Sequence, residues 1–392
     1  MPELTPAALR QLHEHFASLP DPRMWRAASH PLGGILFIAL CAVICGAESF
    51  ADMELYGRSR EQWLRSVIVL GKRGIPSHDT FNRVLSALHW HDFEEAVRRW
   101  TLTLVPDGAG PVAEGPAQYA IDGKALRGSR SVDPQSGQNR FAATVNVWAA
   151  AHGLVIDQRR IPEDGSEITA LQLLLKHLHL RGTVVSMDAA HAQHETISAI
   201  VKGGGDYLVG LKGNQPNTHL EVTAQLDAAA ALRAPDLETV EKGHDRVDTR
   251  RVWVVNDLSA LQTRGRWSAL RSIVLCERES FSPKTGKTVT GRRYYLSSLP
   301  PDAKLLAACV RRHWQVENAA HWVLDVVFRE DCQRARSGYA ASNMSMLRKV
   351  ALNLVRRHTA GGDRSSLKGR RLMAAWNPAY LADVIAPIFN RP

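Results

Sequence analysis

Cysteine is scarce in this chain. Cys41, Cys45, Cys276, Cys309 and Cys332 are spread over 392 residues, with no CxxC pair. That excludes a disulfide framework and a zinc knuckle, and it fits a reducing, cytoplasmic setting. Long apolar runs are scarce too. The longest, PLGGILFIALCAVICGA at 31–47, has 17 residues, three glycines and no flanking anchors. It is short for a membrane span and suits a buried helix. No signal peptide pattern opens the chain; MPELTPAALRQLHEHF reads as an amphipathic helix. The GKT at 286–288 lacks the glycine a phosphate loop needs, since residue 281 is Phe, and no helix pattern follows it. Acid is in deficit: 39 Asp and Glu face 49 Lys and Arg, a net charge of +10. Such a surplus attracts polyanions, nucleic acid first among them.

What is present divides the chain in four. Residues 1–105 are helical by their three- and four-residue apolar spacing, and PSHDTFNRVL carries an N-cap serine at Ser77 and an acid at Asp79. Residues 106–117 are dense in Gly and Pro and read as a linker. From 118 to 358 strands and helices mix: AQYAIDG, a hairpin of FAATVNVWAA and LVIDQRRI, a helix EITALQLLLKHLHL, a buried strand GTVVSMD, a helix HETISAIVKGG and a strand DYLVGLK. That order predicts an α/β fold, a mixed sheet with flanking helices. Between about 215 and 300 β-character dominates, with SPKTGKT as a hairpin turn, and 301–358 returns to helix. Residues 359–392 read as a polar, basic tail.

Two acids stand at the ends of apolar runs, Asp122 in YAIDGKALRGS and Asp188 in VVSMDAAHAQHE. On neighbouring strands they would project at one sheet edge and repel each other. A divalent cation, Mg²⁺ or Mn²⁺, relieves that repulsion with the hard oxygen ligands it prefers. A third acid is sought in RRHWQVENAAHWVLDVVFRED, 311–331, read as one helix. Val316, Ala320, Val323 and Val327 form its apolar stripe, and beside it stand Glu317, His321 and Asp325, four apart. Asp325, Glu330 and Asp331 compete with Glu317 for the role. Three carboxylates holding a pair of ions can activate water or a 3′-hydroxyl for phosphodiester chemistry. Residues 311–357 hold nine Lys or Arg against four acids, and basic residues of this kind would grip a DNA backbone. Lys124 and Arg127 beside the first acid, Lys212 and Asn214 in GLKGNQ, and Arg329 are the candidates. His191 and His194 are expected near a helix start facing the cleft or solvent, His177 and His179 point apart on a helix, and Trp314 and Trp322 are assigned to core packing.

The stretches HPLGGILFIALCAVICGAESF, GIPSHDTFNRVLSAL, AIDGKALRGS, MDAAHAQHETISAIVKGGGDYLVGLKGNQP, GHDRVDTRR, YYLSSL and HWQVENAAHWVLDVVFRED run in order from about residue 22 to 357. In them the chain resembles the DDE-type transposases of bacterial insertion sequences, within the H-repeat-associated branch. The resemblance implies a ribonuclease H-like catalytic domain with a β-rich insertion and a transposase-associated N-terminal helical domain. It implies Asp122, Asp188 and Glu317 as the catalytic, metal-holding triad. It also implies DNA as partner, both terminal inverted repeats and target, with cleavage and strand transfer at the element ends. Synapsis of two ends implies a homodimer or higher assembly. One departure stands out. Related transposases carry Tyr-x2-Arg-x3-Glu-x6-Lys around the third acid; here those places hold Val310, His313, Glu317 and Leu324. His313 and His321 are then the expected phosphate donors. An inactive or repurposed DNA-binding protein and a non-mobile metal-dependent nuclease are the rival readings.

Overall fold

A computed structural model of the chain describes residues 16, 19–23, 29–105, 115–132, 139–162, 165–243, 245–358 and 364–386. The expected first helix and most of the expected linker, 106–114, lie outside the described residues. Helices α1 (Leu32–Ile44), α2 (Phe50–Ser59), α3 (Glu61–Val67), α4 (His78–Ala87) and α5 (Trp90–Thr103) come first. The apolar run becomes α1, which is apolar on every side and is buried almost throughout; a helix of that pattern belongs in a core. Among the described residues no helix is long and apolar enough to cross a membrane. Ser77 caps α4 by accepting from the Thr80 N–H, as its sequence predicts.

Nine strands form one sheet in the order β3-β2-β1-β4-β5-β9-β8-β7-β6. They are β1 (Ala117–Val132), β2 (Asn139–Ala149), β3 (Leu154–Ile161), β4 (Thr183–Met187), β5 (Asp206–Leu211), β6 (Leu237–Lys242), β7 (Val247–Val255), β8 (Ser272–Ser282) and β9 (Lys287–Ser297). β1 pairs β4 and β4 pairs β5 in parallel, and the other ladders are antiparallel. The first five strands have the ribonuclease H-like arrangement. All five residues of β4 are buried, which explains why it carries no charge and shows no alternation: both faces are covered. Helices α6 (Glu167–Leu175), α7 (His194–Lys202) and α8 (Pro216–Leu232) lie between strands in sequence.

The C-terminal part begins with α9 (Ala303–His313), a π-helical turn (Val316–His321) and α10 (Trp322–Val326). After it come α11 (Ala340–Arg357), α12 (Leu367–Trp376) and α13 (Pro378–Ile385). α11 is buried over most of its length and packs against α1, α4, α5 and β3, joining the N-terminal helices to the sheet.

Several expectations are corrected. β1 does not stop at Asp122; it runs on to Val132 because β2 continues to pair with it after β4 has ended. The stretch expected to be β-rich from 215 opens with the 17-residue helix α8. The helix expected over 311–331 starts earlier and ends by Val326, and Arg329 sits in the left-handed region with φ 50°. Glu330 and Asp331 are therefore off the helix, in a short 3₁₀ turn. Among the described residues the tail holds two helices, and Arg371 of α12 is buried, donating to the carbonyls of Val43 and Ile44 at the end of α1 and of Val327 just past α10. His177 and His179 lie past the end of α6 and are exposed, and so is Trp322.

Candidate active site

The parallel ladder between β1 and β4 ends at the pair Ile121 and Met187. Asp122 and Asp188 are the next residues, so they leave neighbouring strands side by side, about 4.8 Å apart across the ladder. Strand alternation puts them on the face that carries Ser186. That face is covered by α9. Gln118 donates to the Cys309 carbonyl at 2.8 Å, and His313 Nδ1 lies 3.2 Å from Ser186 Oγ. The helix and strands run the same way here. Four helical residues advance about 6 Å and two strand residues about 6.6 Å. The row 309, 313, 317, 321, 325 therefore keeps step with the strand positions below it. Glu317 arrives over the level of Asp188 and Asp122. His321 Nδ1 lies 3.3 Å from Asp122 Oδ2, and Asp325 Oδ1 lies 2.6 Å from Lys124 Nζ. In an α-helix a four-residue step overshoots one turn by about 40°. The wider i→i+5 turn at Val316–His321 takes up part of that drift and keeps the row on the sheet.

Two of the three acids, Asp122 and Glu317, are perturbed by their surroundings. Burial, then the charges of Glu317 and Asp188, push the Asp122 carboxyl up to about 7. Burial, with Asp188 nearby, also raises Glu317, against the pull of Arg293 and Lys212. Asp188 accepts from the Ala189 N–H at 2.6 Å, and Lys212 Nζ lies 3.6 Å from it. A further acid, not anticipated, joins them. Glu167 at the start of α6 adds its charge to those facing Asp122 and lies 3.8 Å from the buried His191. It gets close because residue 123 is Gly: a Cβ there would come within 2.7 Å of Glu167 Oε1.

The expected basic contacts separate. Lys212, Arg127 and Arg329 are exposed, the last pairing with Glu48 at 2.8 Å. Asn214 donates to the Ala189 carbonyl at 2.7 Å and so fixes the turn behind Asp188. Lys124 is buried between Asp325 and Glu330. His313 is buried, and desolvation pushes it down to about 4; His321 is pushed down to about 3. Burial thus works against the protonated forms that phosphate donation at these places would need. Arg293 of β9, also not anticipated, stands beside Glu317. The register of β9 brings Arg293 to the site and the placement of the start of α6 brings Glu167, neither of which spacing along the chain reveals. Among the described residues no three His, Cys, Asp or Glu side chains are already gathered around one ion position.

Comparisons with known proteins identify the family. A profile described as DDE_Tnp_1-associated matches residues 13–101, and one described as Transposase DDE domain matches residues 114–354. The chain is 32% identical over 388 residues to "Putative transposase YncI" of Escherichia coli O157:H7, covering 97% of this chain and 95% of that protein. It is 32% identical over 387 residues to "H repeat-associated putative transposase YhhI" of Escherichia coli strain K12, covering 96% and 98%. Among solved structures, a piggyBac transposase in a synaptic complex with hairpin DNA aligns with a TM-score of 0.42 and 10% identity, covering 96% of this chain and 76% of that one.

Proposed function

The chain belongs to the DDE-domain transposase family, in its H-repeat-associated branch, and from that premise we propose that Asp122, Asp188 and Glu317 are its catalytic carboxylates. The observation that carries the reading is the delivery of three acids, from β1, from the end of β4 and from the π turn, to one rim of one sheet. The donor set fits Mg²⁺ or Mn²⁺: it is all carboxylate, and Asp122 is raised by burial first and then by the like charges of Glu317, Asp188 and Glu167 that face it. A bound pair of such ions would supply an activated water or 3′-hydroxyl and a counter-charge for the leaving oxygen.

The chain's own groups do the rest. Asp122 gives up its proton before it can serve as a ligand, and neutral His321 orients its carboxylate. The Asn214 bond to Ala189 keeps Asp188 at the rim. Lys124 ties β1 to α10 through Asp325, holding Glu317 in register, and Lys212 and Arg127 present charge to a DNA backbone. Cleavage at the ends of an insertion sequence and joining of the freed 3′ ends to target DNA is the activity this set supports, with two copies bringing two ends together. The test is incubation of duplex DNA from the flanks of the gene with Mg²⁺ and the wild type, Asp122→Asn or Asp188→Asn. The wild type is expected to nick at the ends and both variants to lose at least about 100-fold in rate. An undiminished variant removes the triad. Cutting without end preference or joining points to a plain nuclease.

A further inference from the structure

β9 carries two adjacent arginines with opposite fates. Arg292 pairs with Glu277 at 2.8 Å and Asp227 at 3.0 Å. Arg293 points to the other face. The ladders fix which face that is: Tyr295 pairs Gly210, and Val209 before it pairs Met187. Tyr295, and with it Arg293 two residues earlier, therefore shares the face of Asp188.

Other arginines on that face each contact an acid, four of them sharing Asp248 and Glu241. Arg246, Arg250 and Arg278 pair with Asp248, and Arg311 pairs with Glu241. Among the described residues no carboxylate lies within ion-pair distance of Arg293. Its guanidinium carbon instead sits 3.6 Å from the centre of the Trp314 ring. The Trp314 indole N–H lies 3.4 Å from the Tyr295 hydroxyl, which fixes the platform. An aromatic face orients a guanidinium without cancelling its charge.

The stack borders two spaces. One is a groove of about 1060 Å³ that reaches Glu317. The other is a cavity of about 160 Å³ bounded by Asp188 and Lys212. Arg293 and Trp314 line both.

We propose that Arg293, held flat by Trp314, binds one phosphate of a DNA strand that passes from the groove into the cavity beside Asp188. It is a positioning residue: it sets which phosphodiester lies over the carboxylates. This rests on the DNA-cleaving reading above.

The experiment measures binding of flanking duplex to the full chain over a range of salt, with single methylphosphonates placed one position at a time. Wild type is expected to lose affinity at each contacted phosphate. In Arg293→Gln the penalty disappears at one position only, affinity falls about 3- to 10-fold, and the salt slope falls by about 0.9. Trp314→Leu weakens the same single penalty, and Trp314→Phe keeps it. Thermal melting is read alongside. Arg293→Lys serves if the glutamine variant is unfolded, and it retains a reduced penalty at that position. An Arg293→Gln protein that melts like wild type yet keeps both the slope and every penalty overturns the proposal. Wild type that binds the flanking duplex no better than unrelated DNA, and leaves it intact with Mg²⁺, overturns the DNA-end reading instead.

Discussion

Replacing Asp122 by asparagine is expected to stabilise the protein in the presence of a chelator, and to do so more at pH 8 than at pH 5. The ordinary aspartate value is 3.8, and the fold raises Asp122 to about 7. Below about pH 3 the carboxyl is protonated whether the chain is folded or not, so it costs nothing. As pH rises towards 7 the unfolded chain ionises first, and the folded state loses ground. Above pH 7 the full penalty is present: roughly three pH units at about 1.4 kcal/mol each, or about 4 kcal/mol. Asparagine keeps the shape and removes the charge. It also relieves Asp188 and Glu317 of a like charge. The gain of the variant over wild type should therefore grow from near zero below pH 3 to about 2–4 kcal/mol at pH 8. Urea unfolding at four pH values, with and without Mn²⁺, measures it. Mn²⁺ should stabilise wild type and leave the variant nearly unchanged. A difference that stays flat with pH, or an asparagine variant less stable at pH 8, refutes the electrostatic argument.

Other outcomes follow from the same geometry. Mn²⁺ affinity, read by calorimetry, should rise up to about tenfold per pH unit below pH 7 as Asp122 is deprotonated, and the slope should vanish in Asp122→Asn. Lys124→Met leaves Asp325 and the buried Glu330 unpaired and should cost about 3–5 kcal/mol in chemical denaturation, part of it recovered by adding Glu330→Gln. Arg371→Ala strips the donor from the carbonyls of Val43, Ile44 and Val327 and should cost about 2–4 kcal/mol by the same measurement. Gly128→Ala puts a Cβ 1.9 Å from the Gln333 carbonyl oxygen, so the expected result is loss of soluble protein; a variant that melts like wild type contradicts that close approach.

Residues buried on both faces were the easiest to read. The runs that became α1 and β4 carry no charged residue, because no side of them meets water. Asp122, Asp188 and Glu317 were each marked by an apolar element beside an acid. The four-residue spacing of Glu317, His321 and Asp325 correctly foretold a row along one helix. What the pattern hid depends on partners distant in sequence. β1 passes through Asp122 on the strength of β2 alone, across glycines and charges that read locally as an ending. α8 buries only Thr218, Val222 and Leu226, too thin a stripe to stand out beside the strands that follow. The π turn has no local signature. Nor could the burial of His313 be seen in advance, since it depends on which strand lies beneath α9.

The sheet itself has a mechanical consequence. β9 is bonded to β5 on one edge and to β8 on the other, so the strands between Asp188 and Lys242 have no seam at which to pivot. The distance from the arginine bank on β7 and β8 to the acids is set like the spacing of teeth on a casting. A molecule that touches both must carry the strain of fitting itself, and sequences that flex readily will be accommodated more cheaply than stiff ones.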